Sequence, residues 1–231
     1  YTINETEDTL VAKFLNDMFH STNSFTTITF KEIMYLWKIF LKNNNIPNVI
    51  FSNTLKSILQ NKYEYNESKD SFTGITSILL KKTKKLCDFW NNFIEVDQKE
   101  IMEISDLCDI YNEWLTSEDD DGLNESDMIS ILKHFYDIEH KNNIIEGIKC
   151  SLWDKKGEIN TVLIDIKEYN KFSPDNEGFS IESVYNDYSK LCDQKFNYKI
   201  VGKQCFKKYI IQLIPNKYII KNRISKDYWL T

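Results

Sequence analysis

The feature that most constrains this chain is an apolar register that returns along it. Phe30, Ile33, Trp37 and Leu41 recur 74 residues later as Ile104, Leu107, Tyr111 and Leu115, and a further 77 later as Ile181, Val184, Tyr188 and Cys192. Steps of three and four residues mark one face of a helix. The helix that follows repeats as well: Leu55, Ile58 and Leu59 become Met128, Ile131 and Leu132, then Phe206, Tyr209 and Ile210. Gly74-Ile75 and Gly147-Ile148 lie 73 apart, and the third copy has no matching glycine. Apolar matches at one helix are cheap. Matches across two helices and a hairpin point to three related units rather than one irregular α+β domain.

Within the first copy, Asp8 to Thr22 reads as an amphipathic helix carrying Leu10, Phe14, Leu15, Met18 and Phe19. Thr29 with Glu32 three residues on forms a capping box for a second helix, whose apolar face is Ile33, Leu36, Trp37, Phe40 and Leu41. Asn43 to Pro47 is a turn, Ser52 opens a third helix, and 62–65 with 71–79 read as a hairpin. In the second copy Phe89, Trp90, Phe93 and Ile94 mark a lead-in helix, and 138–153 a hairpin. Linkers are expected at 80–85 and 155–175, with Val162 to Ile166 as a strand. The expected fold class is mainly α with small β-hairpins. Three helices closed by a hairpin is the winged-helix plan, so tandem winged-helix-like units are expected at 1–80, 86–154 and 175–231.

Charge is distributed unevenly over these units. Residues 195–231 hold nine Lys/Arg (195, 199, 203, 207, 208, 217, 221, 223 and 226) against one acid, Asp227. That segment is about +8 in a chain of net −6, which leaves about −14 on the remainder. A basic end on an acidic body is expected to meet a polyanion. In the third unit Phe206, Tyr209, Ile210 and Leu213 face inward, while Lys203, Gln204, Lys207 and Lys208 lie outward, and long side chains there reach phosphates or base edges. Lys217, Lys221, Arg223 and Lys226 fall on the expected wing, and Tyr218 or Tyr228 is placed to stack on an unpaired base. A surface of Lys rather than bidentate Arg reads as phosphate attraction more than base readout. The two acidic units are expected to be spacers or protein-contact modules.

Other chemistry has little support. The five cysteines are scattered, no CxxC pair occurs, and the three histidines lack zinc spacing, so reduced, mostly buried thiols are expected and no metal or cofactor. Ser117 to Gly122 resembles a calcium loop, but Met128 stands where a bidentate Glu is needed, and a solvated acidic loop is the better reading. Lys81 to Lys85 reads as a surface linker, and His134 and His140 are assigned no chemistry. No apolar run approaches the roughly 20 residues of a membrane span. The chain opens at Tyr1 and is expected to be part of a longer protein.

The run Phe179-Ser-Ile-Glu-Ser-Val-Tyr-Asn-Asp-Tyr-Ser-Lys-Leu-Cys192, followed by Lys203-Gln-Cys-Phe-Lys-Lys-Tyr-Ile210, resembles the C-terminal winged-helix region of poxvirus-type primase-helicases. The resemblance covers about 50 residues of the 231 and implies DNA engagement beside an ATPase motor, in a viral protein working in the host cytoplasm or nucleus. The phosphate-binding loop of such a motor is absent from this chain, so no catalytic role is assigned. The expected function is a nucleic-acid-binding accessory region of a viral replication protein. Its partners would be DNA, single-stranded DNA included, and other replication subunits, with no membrane. The alternative is a docking module of a viral replication or transcription complex.

Overall fold

The computed structural model describes residues 6–22, 26–115, 121–153, 155–170 and 178–230. In chain order the elements are α1 (Glu7–Met18), β1 (His20–Ser21), β2 (Thr27–Thr29), α2 (Phe30–Asn43), α3 (Ser52–Gln60), β3 (Tyr65–Asn66), β4 (Ser71–Thr73), β5 (Ile75–Thr76) and α4 (Leu80–Phe93). They continue as β6 (Ile94–Glu103), α5 (Ile104–Trp114), α6 (Glu125–Tyr136), β7 (Ile144–Cys150), α7 (Lys156–Asn170), β8 (Phe179–Ser180), α8 (Ile181–Leu191), α9 (Lys203–Leu213), β9 (Ile219–Ile220), β10 (Arg223–Ile224) and α10 (Lys226–Leu230). The fold is mainly helical with small antiparallel sheets, an α+β class. No helix among the described residues is long and apolar enough to cross a membrane.

One order of elements runs through the chain three times: helix, strand, two helices, then a returning strand. The strand ahead of the second helix pairs each time with the returning one, Thr29 opposite Ser71, Glu103 opposite Ile144 and Ser180 opposite Arg223. A third strand flanks the returning one in the first and last copies, giving sheets β2-β4-β3 and β8-β10-β9. In the middle copy it shrinks to a bridge between Lys141 and Ile144. The same backbone hydrogen bond closes all three copies. The amides of Phe30, Ile104 and Ile181 donate to the carbonyls of Asp70, Asn143 and Asn222 at 2.8, 2.9 and 3.0 Å. Those acceptors sit at φ +45°, +64° and +62°, a left-handed turn that Asp and Asn tolerate better than other side chains. The helical register named the inward faces of these second helices: Ile33, Trp37, Leu107, Tyr111, Val184 and Tyr188 are all buried.

By contacts the chain divides into two compact units, residues 1–89 with 117–138, and 90–116 with 139–231. The middle copy is therefore shared out, α5 in one unit and α6 in the other. In the first unit the capping box forms as expected: the Glu32 amide donates to Thr29 Oγ1 at 3.2 Å, and the Thr29 amide to Glu32 Oε2 at 2.7 Å. The buried face of α2 meets α1 through Phe14, which lies edge-on to Trp37 at 4.9 Å and tilted on Phe40 at 5.4 Å. Each such aromatic pair adds about 1 kcal/mol beyond area burial. The first helix ends at Met18 rather than Thr22, because His20 and Ser21 pair with Thr76 and Ile75. The linker expected at 80–85 is instead the start of α4. Leu80, Thr83 and Leu86 are buried along one face, and Lys81, Lys82 and Lys84 point outward, so the lysine run masked an amphipathic helix.

In the second unit the hairpin expected within 138–153 is replaced by pairing of β7 with β6, interrupted by a bulge between Val96 and Ile101. Strand β6 was not anticipated. Of its ten residues only Met102 is buried and Val96 is 80% exposed, so it lacks the one-sided alternation that reveals a strand. The strand expected at 162–166 is part of α7, where Ile159, Val162, Leu163 and Ile166 are buried at helical spacing. β-branched residues there imitate a strand, but burial of one helical stripe decides the outcome. The hairpin expected at 217–229 is confined to Ile219–Ile224, and α10 follows, placing Trp229 (1% exposed) edge-on to Phe179 at 5.4 Å. All five cysteines are free, four of them buried. The linker expected at 155–175 is thus helix α7 from Lys156 to Asn170; its Ser173-Pro174, and Ser117 to Asp120 of the acidic loop, lie outside the described residues.

Candidate nucleic-acid interface

Helix α9 begins without a capping side chain of its own, since its N-cap is Gly202 and its first turn holds no acid. Its free amides find acceptors elsewhere in the unit. Glu103, the last residue of β6, accepts from the Gln204 and Cys205 amides at 2.6 and 2.9 Å. Both oxygens of Asp106, on α5, stand 3.1 Å from the Gly202 amide. The pair holds the positive end of the helix as an external anion would. Gly202 is required for this approach, because a Cβ there would lie 2.2 Å from Glu103 Oε2.

Asp106 is 4% exposed, and burial pushes its carboxyl up to about 6, the Gly202 amide opposing and the charge of Glu103 reinforcing the rise. Cys205 is 1% exposed, and burial pushes its thiol up to about 12. Glu103, Asp106 and Cys205 bring ligand-type atoms within 4.8 Å of one another. Both carboxylates already receive amides and the thiol keeps its proton, its sulfur facing the Ile101 carbonyl, so Glu103 and Asp106 act as the helix cap.

Beside the exposed flank of α9 lies a cleft of about 540 Å³. Lys203, Gln204 and Lys207 line it from α9, Lys221 and Arg223 from the β9–β10 hairpin, and Glu182 and Tyr185 from α8. The hairpin tip is a two-residue turn with Lys221 at φ +47° and Asn222 at φ +62°, the conformation that matches strand twist. The Arg223 guanidinium donates to the Gly178 carbonyl at 2.8 Å, which fixes the base of the tip. Gly178 has φ +73°, and a Cβ there would come within 2.2 Å of the Ile224 carbonyl oxygen. Lys203 Nζ lies 5.7 Å from the Tyr185 ring centre and 3.5 Å from Glu182. No family model, curated protein or solved structure matches this chain.

Of the residues singled out by sequence, Lys203, Gln204, Lys207, Lys221 and Arg223 share this cleft, and Lys208, Lys217 and Lys226 do not line it. Lys208 is ion-paired with Glu100 of β6. Lys217 lies 4.6 Å over the Tyr218 ring, on a short 3-10 turn. Lys226 belongs to α10, not to the hairpin. Tyr218 and Tyr228 face each other at 5.7 Å, and the aromatic residues lining the cleft are instead Tyr185 and Phe206. The near absence of acids around the basic segment is a property of sequence alone. Folding brings Asp165 to Lys195, and Glu113 (2.7 Å) and Asp109 (3.6 Å) to Lys199. Glu103, Asp106, Glu182 and Tyr185 were missed. The one local signal was a helix opening on Gly202-Lys203-Gln204 with no cap, which requires a carboxylate from elsewhere.

Proposed function

We propose that the chain is a tandem array of winged-helix-like units and that the cleft beside α9 binds the sugar-phosphate backbone of a nucleic acid. The observation that carries this reading is the convergence of Lys203 and Lys207 from a helix with Lys221 and Arg223 from a hairpin tip, opposed in the lining only by Glu182. Helix, strand, two helices and a hairpin, with the first strand paired to the last, is the order of a winged helix; there the second helix of the pair and the wing approach the duplex together. Capping of the α9 amides by Glu103 and Asp106 leaves the side chains as its means of contact. With Arg223 tied to a carbonyl and the remaining cations lysines, the contact is electrostatic and tolerant of sequence.

The resemblance of residues 179–210 to the primase-helicase region supports a place in a viral replication protein. Several of the residues that carry it, Tyr188, Cys192, Phe206 and Ile210, are buried, so it speaks to the frame more than to the cleft. Four cations meeting four phosphates give a slope of log affinity on log salt of about −3.6 for duplex and about −2.8 for single strands. Fluorescence anisotropy with labelled duplex and single-stranded 20-mers reads that slope. Lys203→Glu/Lys207→Glu should abolish binding while circular dichroism stays unchanged. Binding that survives this double reversal, or that ignores salt, refutes the reading.

A further inference from the structure

The first unit holds a second concavity of about 410 Å³, between α2 and α6. Lys38 and Lys42 reach it from α2, one turn apart on the same face, and Lys133, His134 and Ser130 from α6. Lys38, Lys42 and Lys133 are exposed, so their charges cost little desolvation. Neither Lys42 nor Lys133 has an ion-pair partner among the described residues. The acid in the lining, Asp127, is committed to the start of α6, where it accepts from the Asn124 carboxamide at 2.9 Å.

His134 organises one side of this site. Its Nε2 lies 2.8 Å from the Lys31 carbonyl oxygen, an acceptor only, so Nε2 carries the proton and donates. Nδ1 is then an acceptor, and it lies 3.1 Å from Lys38 Nζ. Burial, with Lys38 and Lys31 nearby, holds the imidazole below its ordinary pKa and keeps this neutral form. A neutral histidine thus fixes the Lys38 ammonium at the rim. Lys31 Nζ donates to the Phe135 carbonyl at 2.8 Å, and the Tyr35 ring packs on those of His134 and Phe135 at 5.4 and 5.5 Å, which holds the two helices in place.

We infer that this concavity binds a compact polyphosphate, either a free one or the phosphate chain of a nucleoside triphosphate. Three ammonium groups around one hollow, with the Ser130 hydroxyl and the Asn43 carboxamide in the same lining, match an anion whose charges are gathered within a few ångströms. A nucleic-acid backbone spreads its charges one per nucleotide and calls for cations strung along a track. The inference is independent of the proposed role of the α9 cleft.

The test is isothermal titration of the full chain with sodium tripolyphosphate at fixed ionic strength, repeated with ATP to separate the two sources. One saturable site is expected. Lys42→Glu/Lys133→Glu should weaken it by about tenfold or more, His134→Ala by a smaller factor through release of Lys38, and Lys203→Glu/Lys207→Glu by less than about twofold. Tighter ATP than tripolyphosphate binding would assign the hollow to a nucleotide, and equal binding to the phosphates alone. Absence of saturable binding to either overturns the inference, as does loss of binding in the Lys203/Lys207 variant. So does a site at which Lys42 and Lys133 govern affinity for a DNA oligonucleotide but not for tripolyphosphate.

Discussion

Replacing Asp106 by Asn should make the second unit more stable at neutral pH and leave it unchanged in acid. An aspartate in an unfolded chain titrates near 3.9. In the folded unit burial raises the Asp106 carboxyl to about 6, Glu103 adding to the effect and the Gly202 amide resisting it. Because the folded value is the higher one, the native state holds this proton more tightly than the unfolded chain does. The stabilising contribution is complete below about pH 4 and is lost as pH rises through 6. A gap of about 2 pH units corresponds to about 3 kcal/mol, and the side chain is buried enough that solvent screening takes little from it.

Asn removes the charge and keeps the shape. Its Oδ1 keeps the Gly202 amide, and a rotation of the carboxamide turns its NH2 away from that N–H and toward the Glu103 carboxylate, which has an oxygen within 4.8 Å. Urea unfolding followed by tryptophan fluorescence, Trp229 and Trp153 being buried reporters in this unit, should show Asp106→Asn ahead by about 2–3 kcal/mol at pH 8. The two proteins should coincide at pH 4. A difference that stays flat across that range, or that favours Asp at pH 8, would show that ionised Asp106 is well accommodated and that the reasoning is wrong.

Other expectations concern single residues. Gly202→Ala should displace Glu103 and break its two amide contacts, lowering stability by about 1–3 kcal/mol, read as a fall in urea midpoint at unchanged slope. Thr29→Ala removes half of the capping box and should cost about 1 kcal/mol, with amide exchange accelerated in the first turn of α2. Glu182→Gln deletes the acid in the α9 cleft and should raise affinity for DNA at low salt by a few-fold, an effect that disappears at high salt. Lys221→Ala should lower the salt slope by about 1 without altering any preference for sequence.

What was legible in the sequence was local. Thr29 and Glu32 stand three apart and form their capping box, and the apolar register named the buried faces of α2, α5 and α8. Misreadings arose where a local pattern has two physical meanings. Lysines around Leu80 and Thr83 look like a linker until burial shows one face of α4, and the run Val162 to Ile166 looks extended until α7 buries a stripe of it. Strand β6 was silent because both of its faces are largely wet. The site was half legible for a similar reason. Helical spacing placed Lys203 and Lys207 together, but nothing near Lys208 announces Glu100, 108 residues away, or tells α9 that Glu103 will cap it. Such pairings are set by topology, which sequence distance conceals.

The carbonyl clasp from Asp70, Asn143 and Asn222 to the head of each second helix uses main-chain atoms alone. A joint of that kind is indifferent to what the outward side chains carry. The scaffold can therefore be kept while its exterior is rewritten, lysine-rich on one copy and carboxylate-rich on another, so that repeats sharing a chassis are free to hold unrelated jobs.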